Sequence, residues 1–133
     1  MEYKKSYTGL VLWLVVFLVL CFGVLLLPVE GMAMMRITIQ LCSLGMAALA
    51  LIVYLNGQVY WYNGISYEEA RDAGEERRKK YAWQHVKAFG IFAIFGLLFS
   101  AVMQLMHISE WVDFVVLTIG LIAVAISTIR FKL

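Results

Sequence analysis

Three sets of side chains in this sequence have types and spacing that bear on chemistry: His107, Glu110 and Asp113 in steps of three, the two cysteines Cys21 and Cys42, and the basic run Arg77-Arg78-Lys79-Lys80 with Tyr81 and Trp83 beside it. A histidine near two carboxylates is a fragment of a cation or proton site, and Gln104 lies about one helical turn before His107. Transition-metal and calcium sites need more ligands in defined geometry than this short stretch offers, so no metal is expected. The three residues read instead as a polar cluster in contact with water or headgroups. The cysteines sit inside apolar runs, not in loops, which is no disulfide framework, and there is no CxxC pair. On an antiparallel hairpin they share a depth and could touch, but thiols in apolar helices are usually inert packing groups.

The basic run lies in the only long polar segment, Ser66 to Lys87, which holds six Lys or Arg and five Asp or Glu. Basic residues at a bilayer surface each contribute about 1 kcal/mol toward anionic lipid. The interleaved acids leave this segment nearly neutral, so a solvated or protein-docking helix is expected more than a polybasic lipid clamp. The residues expected to meet a partner or lipid are Arg77, Arg78, Lys79, Lys80, Tyr81 and Trp83. Beyond these, only His85 and the His107 group have the chemistry of an enzyme, and no catalytic, nucleotide or metal signature is present. A non-enzymatic protein without a cofactor is expected.

The elements that position these groups follow from hydropathy. In 133 residues, 63% are hydrophobic and 15% charged, with a mean hydropathy of +0.84, whereas charged residues make up about 25% of a soluble domain. Partners should therefore include membrane lipids, and a net charge of +2 is too small to suggest nucleic acid. Four apolar runs approach the roughly 20 residues needed to cross a hydrocarbon core of about 30 Å: 9–28, 37–62, 88–107 and 111–129. The first has about twice the length of a signal h-region and no clear cleavage site, so it should be retained. The expectation is an all-α, four-span transmembrane domain over 1–133, built as two antiparallel hairpins.

Between the second and third runs, Ser66 with Glu69 three residues on forms a capping box, and acids precede bases along the following stretch. This predicts a helix over 66–82, with pairs at Glu75 and Lys79 and at Glu76 and Lys80. Gly64 suits a left-handed position at the end of a long second helix that runs on through Tyr62. If the charged helix ran straight into the third run in tight contact with the second, charges would enter lipid. The chain must therefore either bend between Gly74 and Trp83, with a bend near Tyr81 to Trp83 favoured and the charged helix left on the membrane surface, or project the helix well beyond the second.

Orientation follows from counting, because ten Lys and Arg fall on one side of four crossings and only Arg36 on the other. The positive-inside rule then places both termini and the charged segment in the cytoplasm. No ionisable residue lies in the middle of a run, which speaks against an ion-coupled pump. Small and polar residues line one face of the third run, Ala93, Gly96, Ser100, Gln104 and His107, and one face of the fourth, Asp113, Gly120, Ala123 and Ser127. Such stripes let helices approach closely in lipid, so the two are expected to pack on each other. Two functions fit. The first is a non-catalytic accessory or regulatory subunit that docks another membrane protein, or a copy of itself, through the charged segment. The second is a small oligomeric channel or transporter using Gly96, Ser100, Gln104, Gly120 and Ala123.

Overall fold

The computed structural model describes residues 2–62 and 64–133. It is all-helical, with no strand among the described residues: α1 Thr8–Val24, α2 Gly31–Asn56, a 3-10 turn Val59–Trp61, α3 Tyr67–Leu105 and α4 Glu110–Thr128. The helices α2, α3 and α4 are long and apolar enough to cross a membrane, while α1 is apolar but has 17 residues. Two short connections, 25–30 and 106–109, lie at one end of the molecule. At the other, charged end the N-terminal segment, the α2–α3 connection and residues 129–133 come together.

Three sequence expectations need correction. Helix α2 starts at Gly31, so Arg36 lies in its second turn and not in a connecting loop. It ends at Asn56, with Gly57 in the left-handed conformation (φ 69°), and the aromatic run beyond it folds back as the 3-10 turn instead of prolonging the helix. Gly64 also has positive φ, 90°, as its place in the turn requires.

The third correction concerns the charged helix. It starts with the capping box, Ser66 Oγ accepting from Glu69 N at 3.1 Å and Glu69 Oε2 from Ser66 N at 2.8 Å. It does not bend at Tyr81 to Trp83, where the chain is regular helix. The break is at Gly74 (φ 80°, ψ 166°), a conformation essentially closed to side chains with a Cβ. From Glu75 to Leu105 the helix is then unbroken, and at 1.5 Å per residue it is about 46 Å long. That exceeds a hydrocarbon core of about 30 Å, so roughly the first three turns project past the apolar part. The register conflict is resolved by projection, with the short Tyr67–Ala73 helix folded aside.

Packing is uneven. α2 packs chiefly on α3, and α4 rests on both. α1 packs on α2 through one narrow face: Trp13 and Phe17 stack at 5.2 Å over Gly45, and Trp13 Nε1 donates to the Gly45 carbonyl at 3.1 Å. A Cβ at Gly45 would lie 2.7 Å from Phe17, so the glycine is what permits this contact. Most of α1 outside this face, the buried Val24 aside, is exposed apolar surface, the condition expected of a helix whose solvent is lipid.

Candidate functional site

Two polar constellations emerge. The first lies between α2, α3 and α4. Arg36 Nε donates to Asp113 Oδ2 at 2.7 Å, and the Asp113 side chain is fully buried. One turn along α2, Gln40 Nε2 donates to the Gly96 carbonyl at 2.9 Å and to Ser100 Oγ at 2.6 Å. Ser43 returns its hydroxyl to the Ile39 carbonyl. Arg36, Gln40 and Ser43 share a face by helical spacing, so α2 carries a polar seam that both neighbours meet.

This arrangement separates residues that spacing alone had grouped. Asp113 turns inward to Arg36, while His107 is exposed in a left-handed turn (φ 55°) and Glu110 lies in the first turn of α4. The expected His107, Glu110 and Asp113 cluster therefore does not assemble. Among the described residues no group of three or more His, Cys, Asp or Glu is placed to hold a metal. Cys21 and Cys42 are both free and half-buried.

The small-residue stripes also pack differently from expectation. Ala93, Gly96 and Ser100 are buried, but Gly96 and Ser100 receive Gln40 of α2, and Leu117 of α4 closes over Gly96. Gly120 receives the ring of Phe92, which a Cβ would meet at 2.7 Å. Gln104, Ala123 and Ser127 are exposed and belong to neither contact. Sequence reasoning missed Gln40; its signal was its place four residues after Arg36, the only basic residue in that part of the chain.

The second constellation is at the charged end and centres on Arg78. Breaking the helix at Gly74 frees the last carbonyls of the Tyr67–Ala73 helix, and Arg78 Nη1 caps them, donating to Ala70 at 2.9 Å. Its guanidinium also lies 3.9 Å above the ring of Tyr3. The Tyr3 hydroxyl donates to the Gly57 carbonyl at 2.8 Å, and that of Tyr67 donates to the Tyr3 carbonyl. Ser6 is held in both directions by Tyr60, and its carbonyl also accepts from Trp61 Nε1. Burial pushes the Tyr3 phenol up to about 12, against the opposing pull of Arg78, so it acts as a neutral donor. Beside this network His85 stacks on Tyr62 at 3.9 Å and meets Phe131 edge-on. Burial lowers the His85 pKa and raises those of Tyr62 and Tyr81, so all three rings favour their neutral forms.

Of the six residues expected to contact a partner or lipid, Arg78 and Tyr81 are thus turned into the protein. Arg77, Lys79, Lys80 and Trp83 are exposed, Trp83 by 46% with its ring inclined against Tyr54. Lys79 pairs with Glu75 at 2.8 Å, which lowers the carboxylate pKa and raises that of the ammonium. The expected Glu76–Lys80 pair is not formed. On the projecting part of α3, Glu76, Lys79, Lys80, Trp83 and Lys87 share the exposed face, opposite Arg78, Tyr81, Ala82 and His85. No protein-family model, curated protein or solved structure matches the chain.

Proposed function

We propose that this chain is a small multi-pass membrane protein without a reaction centre, an accessory or regulatory subunit that docks a partner protein through the Glu76, Lys79, Lys80, Trp83 and Lys87 face of α3. One observation carries the reading: a rigid, unbroken helix projects beyond the apolar zone, pinned on one side by Arg78, Tyr81 and His85 and left with charges and a large aromatic on the other. Trp is among the residues on which binding energy concentrates at interfaces. In this reading α1 is the fourth span, 17 residues being the lower limit for a crossing of about 17–25, and the four form two antiparallel hairpins. Ten Lys and Arg at the charged end against Arg36 alone at the other support a cytoplasmic charged end with both termini on that side. The partner is another membrane protein or a second copy of the chain.

The channel reading has less support, because three of the residues it would use, Gly96, Ser100 and Gly120, are filled by Gln40, Leu117 and Phe92. Two measurements separate the readings. Co-purification from native membranes should recover a partner with the parent chain and lose it with Lys79→Glu/Lys87→Glu. Reconstituted parent protein should give no flux of ions or small solutes across liposomes. A reproducible flux, abolished by Gly96→Leu in a protein that remains folded, would replace docking by conduction.

A further inference from the structure

Three buried polar atoms where α2 meets α4 make no hydrogen bond among the described residues: Arg36 Nη2, Gln40 Oε1 and Asp113 Oδ1. Arg36 and Gln40 are one turn apart on one face of α2. The 2.7 Å bond from Arg36 Nε to Asp113 Oδ2 keeps the second guanidinium arm and the second carboxylate oxygen beside it. Leaving such atoms unmet is costly, and nearly all buried polar groups in folded proteins find a partner. The Gln40 amide nitrogen already serves the Gly96 carbonyl and Ser100 Oγ, so its oxygen is what remains. There is room beside it. A Cβ at Gly96 would rest 3.4 Å from Leu117 and 3.5 Å from Gln40 Oε1, ordinary contacts that mark a space about the size of a methyl group.

We propose that this pocket binds one water molecule, held inside the bundle by Arg36, Gln40 and Asp113. The hydrogen-bond inventory selects the ligand. Two of the three atoms are acceptors and one is a donor. A water that donates to Asp113 Oδ1 and Gln40 Oε1 while accepting from Arg36 Nη2 meets all of them, with the number of bonds usual for an internal water. A metal cation would meet the two oxygens but face the guanidinium, and chloride would meet the guanidinium but face the two oxygens. A carboxylate turned to take both arms of Arg36 would complete the ion pair and still leave Gln40 Oε1 unmet. The water also joins the Arg36–Asp113 pair to the Gln40–Ser100 contact, so that α2, α3 and α4 share one polar network. Toward the charged end the buried apolar cluster of Ile39, Phe92 and Leu117 closes the pocket, so the water is held and not conducted. None of these residues belongs to the docking face, so water binding and partner binding stand or fail separately.

The test is NMR of the purified full chain in lipid nanodiscs, with the Gln40 side-chain amide assigned by its loss in Gln40→Met. The Gln40 amide protons should show a cross-peak to water, with the sign given by water that tumbles with the protein. The Trp13 indole N–H, bonded to the Gly45 carbonyl between α1 and α2, should show none. Gly96→Ala, which puts a methyl group into the space, should abolish the Gln40 cross-peak. So should Arg36→Met/Asp113→Leu, which removes two of the three partners. Ser100→Ala should keep it, since that change removes only the hydroxyl whose own exchange with solvent would imitate bound water. Backbone spectra show that each variant remains folded. Absence of the cross-peak in the parent would overturn the proposal, as would its persistence in Gly96→Ala or its loss in folded Ser100→Ala. Replacing sodium by potassium, or chloride by sulfate, should leave the Gln40 and Arg36 signals unmoved; an ion-specific shift would overturn the proposal and assign the pocket to that ion.

Discussion

Arg36 on α2 and Asp113 on α4, 77 positions apart in sequence, meet at 2.7 Å with the carboxylate fully buried. The pair ties the second helix to the fourth at the end remote from the charged segment. It also accounts for the only basic residue that departs from the distribution of the other ten.

Removing one partner leaves a charge in an apolar setting, which costs about 3–5 kcal/mol for a buried pair. Because the Arg36 side chain keeps 15% of its exposure, Asp113→Asn and Arg36→Met should each destabilise by about 3 kcal/mol, at the lower limit of that range. The double variant Arg36→Met/Asp113→Leu should recover most of the loss. Unfolding in mixed micelles measures it, and additive losses in the double variant would show that the two side chains are not coupled.

Glycine contacts make a second prediction. A Cβ at Gly45 would lie 2.7 Å from Phe17, one at Gly120 would lie 2.7 Å from Phe92, and one at Gly23 would meet nothing within 4 Å. Gly45→Ala and Gly120→Ala should each cost about 1–3 kcal/mol through overpacking, whereas Gly23→Ala should be neutral or mildly stabilising. Equal unfolding midpoints for all three variants would contradict the packing described for α1 on α2 and for α3 on α4.

At the helix break, Gly74→Ala places a Cβ at φ 80°, ψ 166°, a strain of about 1–3 kcal/mol. Arg78→Gln removes the cap on the Ala70 carbonyl and the contact with Tyr3, and Ser66→Ala removes the cap at the other end for about 0.5–2 kcal/mol. Hydrogen exchange should accelerate across 67–73 in all three and leave α4 unchanged. In Arg78→Gln it should also accelerate across the N-terminal segment, because the Arg78 guanidinium lies on the Tyr3 ring.

What could be read from the sequence was whatever depends on neighbours along the chain. The apolar runs and the capping box at Ser66 and Glu69 act locally, and both have their counterparts in the fold. The register conflict limited a bend to Gly74 through Trp83 but did not single out Gly74, because glycine within a helical pattern leaves φ undetermined. Arg78 was read as surface charge for the same reason: only the break creates the carbonyls it caps. The Arg36–Asp113 and Gln40–Ser100 contacts join residues from different helices, which spacing along one helix cannot pair.

His85 gives a pH dependence. Its pKa is lowered from 6.5 mainly by burial against its aromatic neighbours, so the unfolded chain takes up a proton at a higher pH than the folded one. Stability should be fully present above about pH 6.5 and fall as pH drops below it. Thermal unfolding in detergent between pH 8 and 5 measures the slope, and His85→Phe should remove it. An unchanged slope in that variant would assign the titration to another group.

Topology is tested by single cysteines replacing Ser6, Met32, Asp72 or Ser109 in a background lacking Cys21 and Cys42. Impermeant reagent applied outside intact cells should reach Met32→Cys and Ser109→Cys. Labelling of Asp72→Cys from outside would reverse the proposed orientation.

The docking claim is tested most directly by a photoreactive amino acid placed at Trp83 in native membranes, with Ile119, an exposed apolar position on α4, as the comparison. The account predicts one discrete protein adduct from position 83, lost when Lys79 and Lys87 are both changed to Glu, and only lipid adducts from position 119. Absence of a protein adduct at position 83, or an adduct indifferent to the charge reversals, would contradict it.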